Sequence, residues 1–163
     1  MTIGLSVDGL NIVLGEGQFL ESFFSTICVR LEGGKLGSVY PNIMEDFYDG
    51  NLQADKVKKG LNELKEIEKK MLGMKPTDLI MDMVNPNLKQ VIPSEALNLK
   101  DCFFSKSGRD LIKFLYKYFN FAIEENSNIK IISLTHLPIL EDKPQEGITK
   151  VYYYNTKKKT ENN

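Results

Sequence analysis

The segment Lys100–Leu134 constrains the fold most, because a helix with a wide apolar face lies there between two short apolar runs. Ser107 and Asp110 match the S-x-x-[DE] capping box, in which the serine oxygen accepts from the amide three residues later. Apolar residues then recur at helical spacing over one broad face: Leu111, Ile112, Phe114, Leu115, Tyr118, Phe119, Phe121, Ala122 and Ile123. The runs Cys102–Phe104 and Ile129–Leu134 on either side predict strands. This strand–helix–strand unit is the predicted hydrophobic centre.

The dipeptide Asp8-Gly9 between two alternating apolar runs is the strongest hairpin signal in the chain. It predicts that Thr2–Val7 and Leu10–Leu14 pair through a two-residue loop. The resulting register puts six apolar side chains on one face, in the pairs Val7 with Leu10, Leu5 with Ile12, and Ile3 with Leu14.

The remaining elements follow from apolar spacing and from the positions of Gly and Pro. The predicted helices are Gln18–Glu32, ended by Gly33-Gly34, a short helix from Pro41 to Phe47, and Ala54–Leu72; the predicted strands are Asp78–Val84 and Ile148–Asn155. The fold class is therefore predicted to be α+β: a single domain with a mostly antiparallel sheet, the N-terminal hairpin, and three to four helices packed mainly on one face. This domain is predicted to span residues 1–156, followed by a disordered lysine-rich tail at residues 157–163.

The composition argues against several classes of protein. No apolar run approaches the length that crosses a bilayer, and the N-terminus lacks the pattern of a signal peptide, so a cytoplasmic protein without membrane contact is predicted. The net charge of −1 comes without a basic-aromatic motif, which argues against nucleic acid as a partner. Cys28 and Cys102 lie in apolar segments without metal-ligand or redox spacing, so both are predicted to be buried free thiols.

The densest group of carboxylates, Glu45, Asp46 and Asp49, is the first candidate for a metal or catalytic site. Their spacing does not match an EF-hand loop, and exposed acids near a helix end account for them. His136 is the only histidine, and no second histidine or cysteine lies at ligand spacing, so a surface position is predicted for it. No catalytic residue, cofactor or metal is therefore predicted.

The glycines between Gly33 and Ser38 loosely suggest a phosphate loop. Their spacing differs from G-x-x-x-x-G-K-[ST], and they follow a helix instead of a strand, so a helix stop and a tight turn are predicted. Arg109 is predicted to be a solvated residue in the first turn of the helix that starts near Ser107.

Two segments, read together, resemble the immunity protein 70 family. The first, EGGKLGSVYPNIMEDFYDGNL at Glu32–Leu52, is similar to the family's G-G-K-x-G-S-x-(aromatic)-P-x-(Leu/Ile)-M signature and to the (aromatic)-x-G-x-L turn that follows it. The second, FFSKSGRDLIKFLYKYFNFAIE at Phe103–Glu124, is similar to the family's F-x-(Ser/Thr)-x-x-G-R-(Asp/Glu)-L stretch and helix. With the elements between and around them, the resemblance extends over roughly Leu5–Leu134.

The chain departs from the family pattern in three places. Val39 stands where an arginine is expected, and Leu36 stands where a tryptophan is common. Before the second segment, Val91-Ile92-Pro93 replaces a proline-tryptophan-glycine element. Because aromatic and arginine side chains commonly anchor interfaces, the docking surface is expected to have diverged.

The resemblance implies a small cytoplasmic protein that binds and neutralises a cognate toxin domain of a bacterial polymorphic toxin system by occlusion, without catalysis. The first 50 residues hold seven acidic and two basic residues, a net charge of −5, which would complement a basic toxin surface. The predicted docking region is Val39–Gly50, and the exposed docking set within it is Glu45, Asp46, Tyr48 and Asp49. The other aromatics of that segment, Tyr40 and Phe47, lie seven residues apart on one helical face and are predicted to be core.

Two other function classes stay open at this point. A regulatory or small-ligand-binding α+β domain would need an apolar pocket with convergent polar groups. An enzyme of an unrecognised type would use the Glu45–Asp49 carboxylates, and it would need a raised carboxyl pKa in a cleft.

Overall fold

The computed structural model describes residues 1–105 and 108–134 of the chain. Four strands form one antiparallel sheet: β1 (Thr2–Val7), β2 (Leu10–Glu16), β3 (Asn51–Leu52) and β4 (Ile129–Ser133). Their order across the sheet is β2-β1-β4-β3, so the C-terminal half of the described chain contributes the strand next to β1. Together with the helices, this confirms the predicted α+β fold and the strand at Ile129–Leu134.

The hairpin β1–β2 forms as the sequence predicts. Asp8 and Gly9 both have positive φ angles, 49° and 78°, as the tight turn requires. Val7 faces Leu10 and Leu5 faces Ile12, but the register shifts between Ile3 and Gly4. Ile3 therefore faces Gly15 instead of the predicted Leu14, because a bulge adds a residue to β2 that turn chemistry alone does not reveal.

The described residues contain three α-helices: α1 (Gly17–Thr26), α2 (Val57–Leu72) and α3 (Leu111–Glu124). A π-helical turn, Ile27–Leu31, continues α1, and the Gly34 amide closes it by donating to the Cys28 carbonyl at 2.8 Å. The shorter helical elements are a π-helix at Asn42–Phe47 and 3₁₀ turns at Ala54–Lys56, Pro76–Asp78 and Lys100–Cys102. The three helices predicted before Asp78 are therefore confirmed.

The core lies between the helices and one face of the sheet. The side chains that β1 buries there are Ile3, Leu5 and Val7. Phenylalanine rings connect the elements: Phe23 of α1 meets Phe103 edge-on with centroids 5.3 Å apart, and Phe47 meets Phe119 of α3 at 5.3 Å. A single continuous core results.

The prediction of a strand at Asp78–Val84 is wrong. After the 3₁₀ turn, this segment runs irregularly along α1. The Thr26 hydroxyl oxygen accepts from the Ile80 amide at 3.0 Å, and the Ser25 hydroxyl accepts from the Met83 amide at 3.0 Å. Hydroxyl groups of α1 thus accept the hydrogen bonds from backbone amides that a neighbouring strand would otherwise accept.

The start of the central helix also differs from the prediction. The N-cap of α3 is Asp110, whose side chain accepts from the Ile112 amide at 3.0 Å and the Lys113 amide at 3.2 Å. The predicted capping box, with Asp110 already inside the helix, is therefore wrong. The strand predicted at Cys102–Phe104 is a 3₁₀ turn followed by one isolated bridge between Phe104 and Asp110.

Arg109 is half-buried instead of solvated. Its guanidinium donates to the Val13 carbonyl at 2.7 Å and the Leu14 carbonyl at 2.9 Å, and it lies 5.4 Å from the centroid of the Phe114 ring. Burial lowers the pKa of this guanidinium. The physical reason is topological: β2 is an outer strand, so its carbonyls are open to a side-chain donor.

Cys28 and Cys102 are both buried and free, as predicted. Burial raises the pKa of the Cys28 thiol, and the nearby Glu32 adds to that shift. Burial also raises the pKa of the Cys102 thiol, to about 11. Both groups are therefore neutral, poorly nucleophilic thiols at physiological pH.

Several predictions concern residues that the structure does not describe. They are Ser107, His136, the strand Ile148–Asn155 and the tail at residues 157–163. Within the described ranges, none of the helices has the length and apolar character needed to cross a membrane.

Candidate protein-docking site

A buried carboxylate organises the glycine-rich loop at residues 33–39. Glu32 is 5% exposed, and its carboxylate accepts from three backbone amides, those of Gly37 at 2.9 Å, Val39 at 3.1 Å and Tyr40 at 2.9 Å. The loop therefore closes around an anion that belongs to the chain itself. This arrangement explains why the segment looks like a phosphate loop without having its spacing.

Gly37 brings the loop against the neighbouring short helix. Its φ angle is 76°, and a Cβ atom placed on it would overlap the Glu45 side chain. Because the glycine has no side chain, Glu45 of the Asn42–Phe47 helix lies directly over the loop backbone. The loop and the short helix thus form one continuous surface.

A second carboxylate anchors the start of the short helix. Glu63 of α2 accepts from the Ile43 amide at 2.8 Å and from the Asn42 side-chain amide at 2.7 Å. A carboxylate at a helix N-terminus satisfies amides that have no partner within the helix. The short helix is therefore held from α2, which leaves its opposite side free to face solvent.

The predicted docking carboxylates are not equivalent. Glu45 and Asp49 are exposed and lie one helical turn apart, since the Asp49 amide donates to the Glu45 carbonyl at 2.9 Å. Asp46 is partly buried and forms an ion pair with Lys56 at 3.0 Å. The hydrogen bond and charge of Asp46 raise the pKa of the Lys56 ammonium, so the two charges largely cancel at that point.

The aromatic side chains of the segment divide as the sequence predicts. Tyr40 and Phe47 are buried, whereas Tyr48 is 37% exposed. The inner side of the Tyr48 ring packs edge-on against Phe24 of α1, with ring centroids 5.2 Å apart. Tyr48 therefore exposes part of its ring to solvent, while Phe24 holds the other part in place.

The His, Cys, Asp and Glu side chains of the described chain, those of the docking set included, do not assemble a metal site. Among residues 1–105 and 108–134, no group of three or more His, Cys, Asp or Glu side chains could hold a metal ion. In particular, Glu45, Asp46 and Asp49 do not converge as ligands. Their arrangement can provide charge for a partner surface but not a coordination shell.

Comparison with known proteins assigns the chain to a family. The family model described as Immunity protein 70 matches residues 5–131. The chain belongs to this family. Neither a curated protein nor a solved structure matches the chain. The match begins within β1 and ends within β4, so it includes β2, β3, parts of β1 and β4, the helices α1 to α3 and the loop at residues 33–39.

In this Immunity protein 70 chain, two exposed apolar side chains lie on the same surface as the exposed carboxylates. Leu36 is 38% exposed and Val39 is 47% exposed, both on the loop at residues 33–39. Both positions depart from the family pattern; Val39 is the first residue of the predicted docking region and Leu36 lies outside it, and neither belongs to the predicted docking set. Apolar residues inside a glycine-rich loop were the signal that could have identified them.

Sequence reasoning also missed the two anchors, Glu32 and Glu63. The acidic count over the first 50 residues includes Glu32, and Glu63 lies within the predicted helix Ala54–Leu72, where apolar spacing does not distinguish it from the other charged residues. Both carboxylates are instead occupied by backbone amides. An acidic residue on a helix or directly after one can be recognised as an anchor only when the position of the backbone amides that it binds is known.

Proposed function

We propose that this chain binds a cognate toxin domain and neutralises it by occlusion, in the cytoplasm and without a catalytic step, cofactor or metal. The observation that carries this proposal is the match of residues 5–131 to the Immunity protein 70 family model. A family of immunity proteins implies a toxin as the partner. A protein that blocks its partner needs only a complementary surface.

The proposed docking set is Glu45, Asp46, Tyr48 and Asp49. Its support is geometric, since Glu45 lies on the short helix that α2 holds in place, and Tyr48 and Asp49 follow directly after the end of that helix. Tyrosine is enriched at interface centres, whereas acidic side chains are more common at the polar rim, so Tyr48 would lie nearer the centre than the carboxylates. Because Lys56 neutralises Asp46, Glu45 and Asp49 supply most of the field that attracts a basic partner.

The test is binding kinetics against the toxin domain encoded beside this protein. Wild-type protein should form a stoichiometric complex that abolishes toxin activity. Replacing Glu45, Asp46 and Asp49 together by lysine should lower the association rate by about tenfold or more at low salt and flatten its salt dependence. The double change Glu45→Lys with Asp49→Lys should account for most of this effect, because Asp46 is already paired with Lys56.

A matched control is Glu124→Lys with Glu125→Lys. These two exposed acids at the end of α3 give the same change in net charge at another place on the surface. The control should change the association rate much less than the Glu45 and Asp49 pair does. Equal effects of the two pairs would show that overall charge, and not this surface, steers association. Failure of the wild type to bind the neighbouring toxin domain would contradict the proposed function.

A further inference from the structure

The loop at residues 33–39 presents apolar side chains outward although it is rigidly built. Three amides bind the buried Glu32 carboxylate, and the Ser38 hydroxyl donates to the Glu32 carbonyl at 3.3 Å. Between these tethers, Leu36 and Val39 remain exposed. A loop whose backbone is already fixed loses little conformational entropy when it binds, which favours its use as an anchor.

The exposed apolar pair and the carboxylates belong to one surface. Gly37, between Leu36 and Val39 in sequence, lies beneath the Glu45 side chain. Asp49 follows one turn beyond Glu45. An apolar patch bordered by anionic groups therefore extends from the loop onto the short helix.

We infer that Leu36 and Val39 are the apolar anchors of the toxin interface, and that they enter an apolar pocket bordered by lysine or arginine side chains on the toxin domain. This inference rests on the proposed function and adds residues to its docking surface. Exposed apolar area gives the short-range attraction that holds a complex together, whereas Glu45 and Asp49 act at longer range on the encounter.

The charges around the patch favour a basic protein over a second copy of this chain. A symmetric contact would bring the same surface together twice and oppose Glu45 and Asp49 to their own copies. Lys35 is the only basic residue in the loop, and Lys56 is already paired with Asp46. Among the described residues, the carboxylates of Glu45 and Asp49 form no ion pair, so both are available to cationic groups of another protein.

The test separates the dissociation rate from the association rate. Leu36→Ser with Val39→Ser should raise the dissociation rate from the toxin domain by about tenfold or more, with the association rate and its salt dependence nearly unchanged. Glu45→Lys with Asp49→Lys should show the opposite pattern. The matched control is Val84→Ser with Val91→Ser, two valines that are 88% and 78% exposed on a different segment, and it should leave both rates unchanged.

The outcomes are distinguishable. If wild-type protein does not bind the toxin domain, the proposed function fails, and the inference fails with it. If the wild type binds but the Leu36 and Val39 variant dissociates at the same rate, the inference alone is overturned. A wild-type dimer in size-exclusion chromatography that this variant converts to a monomer would also overturn it, because the patch would then bind a second copy of the chain. Thermal unfolding at the wild-type temperature confirms that the variant is folded.

Discussion

At the scale of single residues, this chain uses acidic side chains in two ways. Glu32 and Glu63 are turned inward and bind backbone amides, whereas Glu45 and Asp49 are exposed to solvent. The first pair shapes the surface, and the second pair supplies its charge. An acidic count over the first 50 residues therefore overstates the charge that a partner meets, since Glu32 is buried and Asp46 is paired with Lys56.

The role of Glu32 gives a prediction for stability. Glu32→Ala should lower the free energy of unfolding by about 2–4 kcal/mol, because it leaves buried backbone amides without an acceptor. Glu32→Gln should lower the free energy of unfolding by less, since the side-chain carbonyl oxygen of glutamine can still accept from the Val39 and Tyr40 amides. Urea unfolding monitored by circular dichroism measures both values. Glu66→Ala is the control, because the Glu66 side chain is 57% exposed and its ion-pair partner, Lys70, is 3.7 Å away. A Glu32→Ala variant as stable as this control would contradict the anchoring role.

At the scale of elements, irregular segments are fixed by polar side chains of the helices beside them. The segment after Pro76–Asp78 is bound by Thr26 and Ser25 of α1. Lys100, in the 3₁₀ turn before α3, lies 3.5 Å from Glu68 of α2 and 3.8 Å from the N-cap carboxylate of Asp110. These contacts connect elements that the sheet does not pair.

Thr26→Val tests this arrangement, because it keeps the shape of the side chain and removes its hydroxyl. The Ile80 amide then loses its acceptor, and the free energy of unfolding should fall by about 1–3 kcal/mol. Native-state hydrogen exchange should show faster exchange of the Ile80 amide. Ser22→Ala is the matched control, since the Ser22 hydroxyl donates to the Phe19 carbonyl within α1 at 2.9 Å and not to the segment that contains Ile80. Unchanged exchange at Ile80 in the Thr26→Val variant would argue against the tether.

At the scale of the whole molecule, one core connects the sheet to all three α-helices. Aromatic rings run through it from Phe103 by way of Phe23 and Phe24 to Phe47 and Phe119. The docking surface is built directly on this core, since Phe47 lies inside it and Tyr48 packs on Phe24. Loss of core packing is therefore expected to disturb the docking surface as well.

Leu115→Ala tests the placement of this core. Leu115 of α3 is completely buried, so the substitution should lower the free energy of unfolding by about 2–5 kcal/mol through lost burial and a cavity. Ile123→Ala on the same helix should lower the free energy of unfolding by less, because Ile123 is 36% exposed. Thermal unfolding of the two variants measures the difference. A melting temperature that Leu115→Ala leaves unchanged would show that the core is misplaced.

Sequence alone was sufficient where the deciding residues lie close together along the chain. The Asp8-Gly9 turn, the helix Ala54–Leu72 and the strand at Ile129–Leu134 each depend on turn chemistry or apolar spacing within a short window, and the structure confirms them. The family resemblance likewise rested on two local segments and is confirmed by the match over residues 5–131. For the same reason, the burial of Tyr40 and Phe47 was predicted from their seven-residue spacing.

Tertiary structure decided the features whose partners are distant in sequence. Ile80 and Thr26 are separated by 54 residues, and Arg109 and Val13 by 96, so no local pattern distinguishes a tethered segment from a strand or a buried guanidinium from a solvated one. Glu32 lies only five residues from Gly37, yet its role also escaped local reasoning. Whether a carboxylate faces solvent or backbone amides depends on what the rest of the fold packs over it, because burial makes an unpaired charge too costly to keep.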